Sequence, residues 1–189
     1  MEKSTNPSAI RSRKMIVQAL LRLMKRKKYV AITITDIANE AQIGRKTFYR
    51  HFYTLDDVLD EYVEELFAEY RAMLKDAHIC NIYEHIPRYF QFWSRHMEFL
   101  QLLEKNNLSS FILKKYDALM PEVFLLLPCV LEEKSAMSEY FLSYTAGGFW
   151  SMLFKWVSRG GKETPEEMTE IFKAFFSQVV GNLSATDES

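Results

Sequence analysis

Ile32-Thr33-Ile34-Thr35-Asp36-Ile37-Ala38, followed after a short gap by Gly44-Arg45-Lys46-Thr47-Phe48-Tyr49-Arg50-His51-Phe52, holds two helix starts in quick succession. Thr33 and Asp36 have capping-box spacing, in which the hydroxyl and the carboxylate satisfy amides that a first helical turn leaves free. Ile34, Ile37, Ala38 and Ala41 then recur at helical spacing and predict the buried stripe of a short helix. Gln42-Ile43-Gly44 reads as a tight turn. Arg45 to Phe52 reads as a further short helix with Phe48 and Phe52 on one side. Two such helices joined by a tight turn form a helix-turn-helix, and the small Ala38 suits their close crossing.

Upstream, Asn6 and Pro7 supply an N-cap and a proline at the first helical position. Val17, Leu20, Leu21 and Met24 mark the apolar face of the helix they open. The run Lys25 to Lys28 suits the negative pole of its dipole, and Tyr29 to Ile32 forms a short connector. This end of the chain is strongly cationic. Residues 1–53 carry twelve Lys and Arg against three Asp and Glu, a net +9, so the remaining residues carry −10 of the overall −1. Such a front end fits a polyanion, although a solvated basic helix is the plainer reading of charge alone.

Downstream, Thr54-Leu55-Asp56-Asp57 is a second capping box. Leu55, Leu59, Tyr62, Leu66, Tyr70, Met73 and Ala77 predict the apolar face of a long helix whose exposed face is acidic. Residues 81–105 read as one helix, with Pro87 either kinking it or lying in its first turn, and Glu84-His85 read as a first-turn surface pair. Asn106 and Asn107 break the pattern. Leu108 to Leu127 resumes a helix interrupted at Pro121, Pro128 to Lys134 reads as a loop, and Ser138 to Arg159 is a helix closed by Gly160-Gly161. Thr164-Pro165-Glu166-Glu167 combines an N-cap, a proline at the first position and a capping-box carboxylate at the start of the last helix. With only six glycines and five prolines in 189 residues, the expected fold is all-α. A three-helix domain built around the helix-turn-helix is expected over 1–53, ahead of a larger helical domain over 54–189.

The segment 32–38 together with 44–52 resembles the DNA-binding domain of the TetR family of transcriptional regulators, and the likeness extends over residues 9–60. Gly147-Gly148, Trp156, Gly160 and Thr164 to Met168 are similar to a subgroup common in low-GC Gram-positive bacteria. The resemblance implies that Tyr49 and His51 contact phosphates and that Thr33 presents the second helix's N-terminus to another. The plainer readings are packing for Tyr49, a solvated surface for His51 and capping alone for Thr33. Arg45, Lys46 and Thr47 are candidates for base edges, where Arg or Lys reads guanine O6 and N7; Arg50 is a further donor and Thr35 a weaker candidate. The chain departs from the family pattern at Gln42, where a turn glycine is common, and at Gly44, which replaces a small hydroxyl N-cap. It departs again at Lys46, usually a small residue, and at Leu55, where a lysine often reaches phosphate.

The family likeness further implies a homodimer on a near-palindromic double-stranded DNA operator and a small-molecule effector held by the helical body. Tyr89, Phe90, Trp93, His96, Phe111, Tyr116, Met120, Tyr144 and Trp150 either line that pocket or simply fill the core. The last helix spreads Met168, Ile171, Phe172, Phe175, Phe176, Val179, Val180 and Leu183 over a stripe too wide for one-sided packing. With Gly147 and Gly148, each costing about 1 kcal/mol against alanine in mid-helix, it is the expected dimer face. Cys80 and Cys129 stand alone and read as small buried residues, and no metal or cofactor is implied. His51, His78, His85 and His96 make no HExxH motif, and no Gly-rich phosphate loop or triad is visible, which argues against an enzyme. A regulator-shaped adaptor working through protein partners is the nearer alternative. The polar residues 1–8 and the lack of a long apolar run predict no signal peptide and no membrane span, hence the cytoplasm.

Overall fold

The computed structural model describes residues 6–76, 82–116 and 136–184, and every regular element among them is helical. Helix α1 (Pro7–Arg26) begins where the Asn6 side chain accepts the Ser8 amide, and it ends on Lys25 and Arg26. A 3-10 turn (Tyr29–Ala31) leads to α2 (Ile34–Glu40) and α3 (Arg45–His51). Then follow α4 (Leu55–Asp76), α5 (Ile82–Arg95) and α6 (Met97–Lys105). A further helix, α7, is described over residues 109–116. Two last helices, α8 (Ala136–Ser158) and α9 (Pro165–Ser184), complete the fold.

The capping boxes form as their spacing requires. The Thr54 hydroxyl accepts the Asp57 amide at 3.1 Å while the Asp57 carboxylate accepts the Thr54 amide at 2.9 Å. The Thr164 hydroxyl and Glu167 carboxylate exchange the same pair of bonds at 3.1 and 2.7 Å. At the other end of α8, Gly160 and Gly161 have φ of 85° and 63°, and their amides reach back to the Val157 and Trp156 carbonyls. That is the left-handed helix ending for which glycine is favoured.

Contacts divide the chain into two units: residues 1–69 with 105–108, and 70–104 with 109–189. The boundary falls inside α4, whereas the sequence places it at 53/54. The early turns of α4 belong with the helix-turn-helix because Glu61 is tied to Arg13 of α1. Residues 105–108 join the first unit through the connector after α1. The buried Asn106 side chain accepts the Tyr29 amide at 2.7 Å, and Lys105 donates to the Lys25 carbonyl at 2.9 Å.

The core of the first unit contains Ile16, Val17, Ala19, Leu20, Leu23 and Met24 of α1 with Ile37, Ala38, Phe48 and Phe52. Ile34 and Leu21 are only half-buried, so the helical stripes lie slightly to one side of the expected ones. The shift is larger in α4. Val58, Leu59, Val63, Leu66, Phe67, Tyr70 and Leu74 are buried, while Leu55, Tyr62 and Met73 are half-exposed and Ala77 lies outside the described residues.

In the second unit α5 packs on α9. The single helix expected over 81–105 is two helices. The amide of His96 bonds to the Trp93 carbonyl three residues back, and its own carbonyl receives the Leu100 amide that starts α6. Pro87 lies in the second turn of α5 rather than the first. Nearby, the Arg88 guanidinium donates to the Glu84 carbonyl at 2.7 Å. His85 is not a surface residue: it is 2% exposed and in short contact with the Tyr70 hydroxyl, 2.5 Å from its Nε2. Glu84 alone of that pair faces solvent. Cys80, Cys129, Pro121 and the expected loop at 128–134 lie outside the described residues.

Candidate nucleic-acid interface

Local chemistry sets the two short helices against each other. The Thr33 hydroxyl accepts the Asp36 amide at 3.1 Å, and Asp36 Oδ2 accepts both the Thr33 amide and its hydroxyl at 2.8 Å. Lys27 also donates to Asp36 Oδ2 at 2.6 Å. These bonds, the one from Lys27 first, hold the Asp36 carboxyl down to a pKa of about 2. Helix α2 ends with the Gln42 amide on the Asn39 carbonyl and the Ile43 amide on the Ala38 carbonyl. This ending needs a left-handed residue between them. Gln42 fills that place with φ 55°. A left-handed non-glycine residue costs about 1–2 kcal/mol, partly offset by the extra chain entropy glycine would bring. Gln42→Gly should therefore raise stability by about 0.5–1 kcal/mol. Urea unfolding reads this directly, and a destabilised variant would show that the Gln42 side chain contributes more than the strain costs.

Helix α3 is anchored from beneath by Phe48 (0% exposed) and Phe52. Their rings stand 6.1 Å apart, and Phe48 meets Tyr49 edge-on at 5.7 Å. Arg13 fastens the end of the helix. Its Nε and Nη2 donate to the two Glu61 carboxylate oxygens at 2.9 and 2.7 Å, its guanidinium lies 4.7 Å from the Phe52 ring centre, and Nη1 reaches the His51 carbonyl at 3.5 Å.

The opposite face carries the donors. Arg45, Lys46, Tyr49 and Arg50 are exposed and Thr47 is half-exposed. Thr33 and Thr35 are exposed at the start of α2, the Thr33 hydroxyl being already engaged in its box. His51 differs from the rest. It is 8% exposed, and burial followed by the nearby Arg13 and Arg50 charges pushes its pKa below 6.5.

Internal carboxylates sort the cations of this end. Glu40 holds Arg22 and Arg26, Asp36 holds Lys27 and Glu61 holds Arg13. No ion pair engages Arg45, Lys46 or Arg50 among the described residues. Three of the cations behind the excess charge are thus left uncompensated on α3. Sequence reading passed over Arg13 and Glu61, because their pairing across forty-eight positions has no local signature.

In the second unit the expected pocket residues mostly come together. Tyr89, Phe90, Trp93, Tyr116 and Trp150 are buried. The Tyr116 hydroxyl donates to that of Tyr89, which donates to the Phe149 carbonyl, both at 3.3 Å. His96 and Phe111 are half-exposed. Tyr144 does not join them: it is 68% exposed and borders a groove of about 520 Å3 with Gly147, Gly148, Phe172, Phe175 and Phe176. Met168 and Phe172 are buried, whereas Ile171 and Phe175 are exposed. Val179 and Leu183 lie on α9, their side chains outside the described residues, and Met120 lies wholly outside them. No described helix is long and apolar enough to cross a membrane.

Residues 16–62 match the family described as bacterial regulatory proteins, tetR family, and residues 80–178 match the transcriptional regulator C-terminal region of the same family. No curated protein matches the chain. Among solved structures it is similar to the Lin0861 protein of Listeria innocua, with 14% identity and a TM-score of 0.73 over 95% of this chain and 96% of that one. It is also similar to the dihydroxyacetone kinase operon activator DhaS (23% identity, TM-score 0.57, 94% and 96% covered). A third likeness is to the fatty acid degradation regulator FadR of Bacillus halodurans (17%, 0.55, 91% and 94%). At these identities the structural likenesses speak for the fold alone, whereas the two family matches speak for descent. The chain belongs to the TetR family of transcriptional regulators.

Proposed function

We propose that this regulator binds a specific near-palindromic operator as a homodimer and represses until a small molecule occupies its second unit and releases it. The observation that carries the reading is the two-sidedness of α3. Phe48 and Phe52 hold one face in the core, and Arg45, Lys46, Tyr49 and Arg50 stand on the other without an internal ion pair. A recognition helix needs this division between packing and donor faces. Arg45, Lys46 and Thr47 read base edges, with Thr35 as a lesser contributor; Tyr49, Arg50 and His51 hold phosphates, with Thr33 at the start of α2. The effector lodges among Tyr89, Phe90, Trp93, His96, Phe111, Tyr116 and Trp150, and the protein works in the cytoplasm with its operator.

Selection of binding sites from random duplexes tests the division of roles. Arg45→Ala should relax preference at one base pair per half-site, costing about 1–3 kcal/mol on the preferred base. Tyr49→Phe should weaken every sequence alike. Equal effects of both variants on all sites would contradict the assignment.

The dimer reading rests on two glycines. A Cβ on Gly147 or Gly148 meets nothing within 4 Å among the described residues, so the packing described within the subunit does not account for two mid-helix glycines. Close approach of a partner's helix does account for them, and the exposed Phe175, Ile171 and Tyr144 beside the groove would be covered by the same contact. Sedimentation should give a dimer for the native chain and a folded monomer for Phe175→Asp. A native monomer at micromolar concentration would overturn this part.

A further inference from the structure

A second groove, of about 870 Å3, runs along α1 beside the α2–α3 turn and is not used in the reading above. Ile10, Met15 and Ala41 supply its apolar surface, and Ile10 is 51% exposed although the buried face of α1 is formed by other residues. Arg11 and Lys14 stand on its border. The carboxylate that lines the groove, Glu40, is already engaged by Arg22 and Arg26. Arg11 and Lys14 have no ion pair among the described residues, so this apolar groove is bordered by two uncompensated cations.

We infer that this groove docks an acidic amphipathic helix of a protein partner, with apolar side chains against Ile10 and Met15 and carboxylates against Arg11 and Lys14. Charge complementarity decides the sign of the partner, and the exposed isoleucine decides its class. A phosphate backbone contacts cations but offers nothing to bury an isoleucine, and a groove of this size takes several side chains at once. Helix-in-groove recognition has the same composition: apolar anchors at i, i+3, i+4 and i+7 for affinity, and charges at the rim for orientation and encounter rate.

The test uses the full chain and two fluorescein-labelled fifteen-residue peptides with the same leucine positions, the rest being glutamate in one and lysine in the other. The glutamate peptide should bind in the range of about 10–100 µM and the lysine peptide at least about tenfold more weakly. Ile10→Ser should weaken the glutamate peptide about tenfold, as expected for a lost apolar anchor. Ile10 is half in solvent, so unchanged circular dichroism should accompany that loss. Arg11→Glu with Lys14→Glu should reverse the preference, whereas Arg45→Gln with Lys46→Gln should leave it unchanged. Failure of the glutamate peptide to bind at about 1 mM, or loss of its binding in the Arg45/Lys46 variant, would overturn the proposal. So would a fall of about 3.6 in the salt slope of DNA binding on replacing Arg11 and Lys14 by glutamine in both subunits of the dimer, which would assign these cations to phosphates.

Discussion

Arg13→Ala should destabilise the first unit by about 2–4 kcal/mol, the scale of breaking a largely desolvated ion pair from one side. Arg13 and Glu61 are 16% and 11% exposed in their side chains and meet through two parallel hydrogen bonds. Removing the guanidinium takes both of its hydrogen bonds from the largely buried Glu61 carboxylate and strips the cation from the face of Phe52. The carbonyl of His51, at the end of α3, loses its donor as well. Hydrogen exchange along α1 to α3 should rise, and affinity for DNA should fall for every sequence alike. The double variant Arg13→Met/Glu61→Leu should recover most of the lost stability, because the desolvated carboxylate goes together with the guanidinium. A single variant within about 0.5 kcal/mol of the native chain would show the pair to behave like an exposed one.

The second large effect concerns acid. Burial, followed by the Arg88 charge, pushes the His85 imidazole down to a pKa of about 4 from the usual 6.5. The unfolded chain therefore takes up a proton at His85 that the folded chain refuses. Its contribution to stability is complete above pH 6.5 and is lost as pH falls from 6.5 towards 4, to a total of about 3 kcal/mol. His51, also lowered, adds in the same direction. Asp36, held down to about 2, acts only further into acid. All three tryptophans belong to the second unit, so their fluorescence during urea unfolding at pH 7.5, 6 and 5 reports on the region around His85. His85→Phe combined with Tyr70→Phe removes both polar partners and should flatten that dependence, leaving neither group buried alone. An unchanged slope in the double variant would show that His85 is not its source.

Features with local causes were legible in the sequence. The capping boxes at Thr33, Thr54 and Thr164, the proline starts at Pro7 and Pro165 and the glycine stop at Gly160-Gly161 each depend on residues within one turn, and each stands where its spacing places it. Features set by distant neighbours were not. The inward face of α4 follows Val58, Val63 and Phe67 because the elements around it decide which side is covered, and periodicity alone admits a stripe one position away. His85 looked solvated beside Glu84, yet the rings of Tyr70, Tyr89 and Phe149 enclose it. The break at His96 has no proline or glycine to announce it. On the candidate interface the donors of α3 were legible from residue type and spacing, while the burial of His51 and the clasp of Arg13 on Glu61 depend on how α1, α3 and α4 meet.

On the proposed function, the cations left unpaired on α3 are what hold the duplex. Titrating the native chain onto a selected operator at several salt concentrations measures this most directly. A log–log slope of affinity against salt of about −4 or steeper is expected for a dimer, since each phosphate neutralised contributes about −0.9. Affinity indifferent to salt, or no binding to any duplex at low ionic strength, would contradict it.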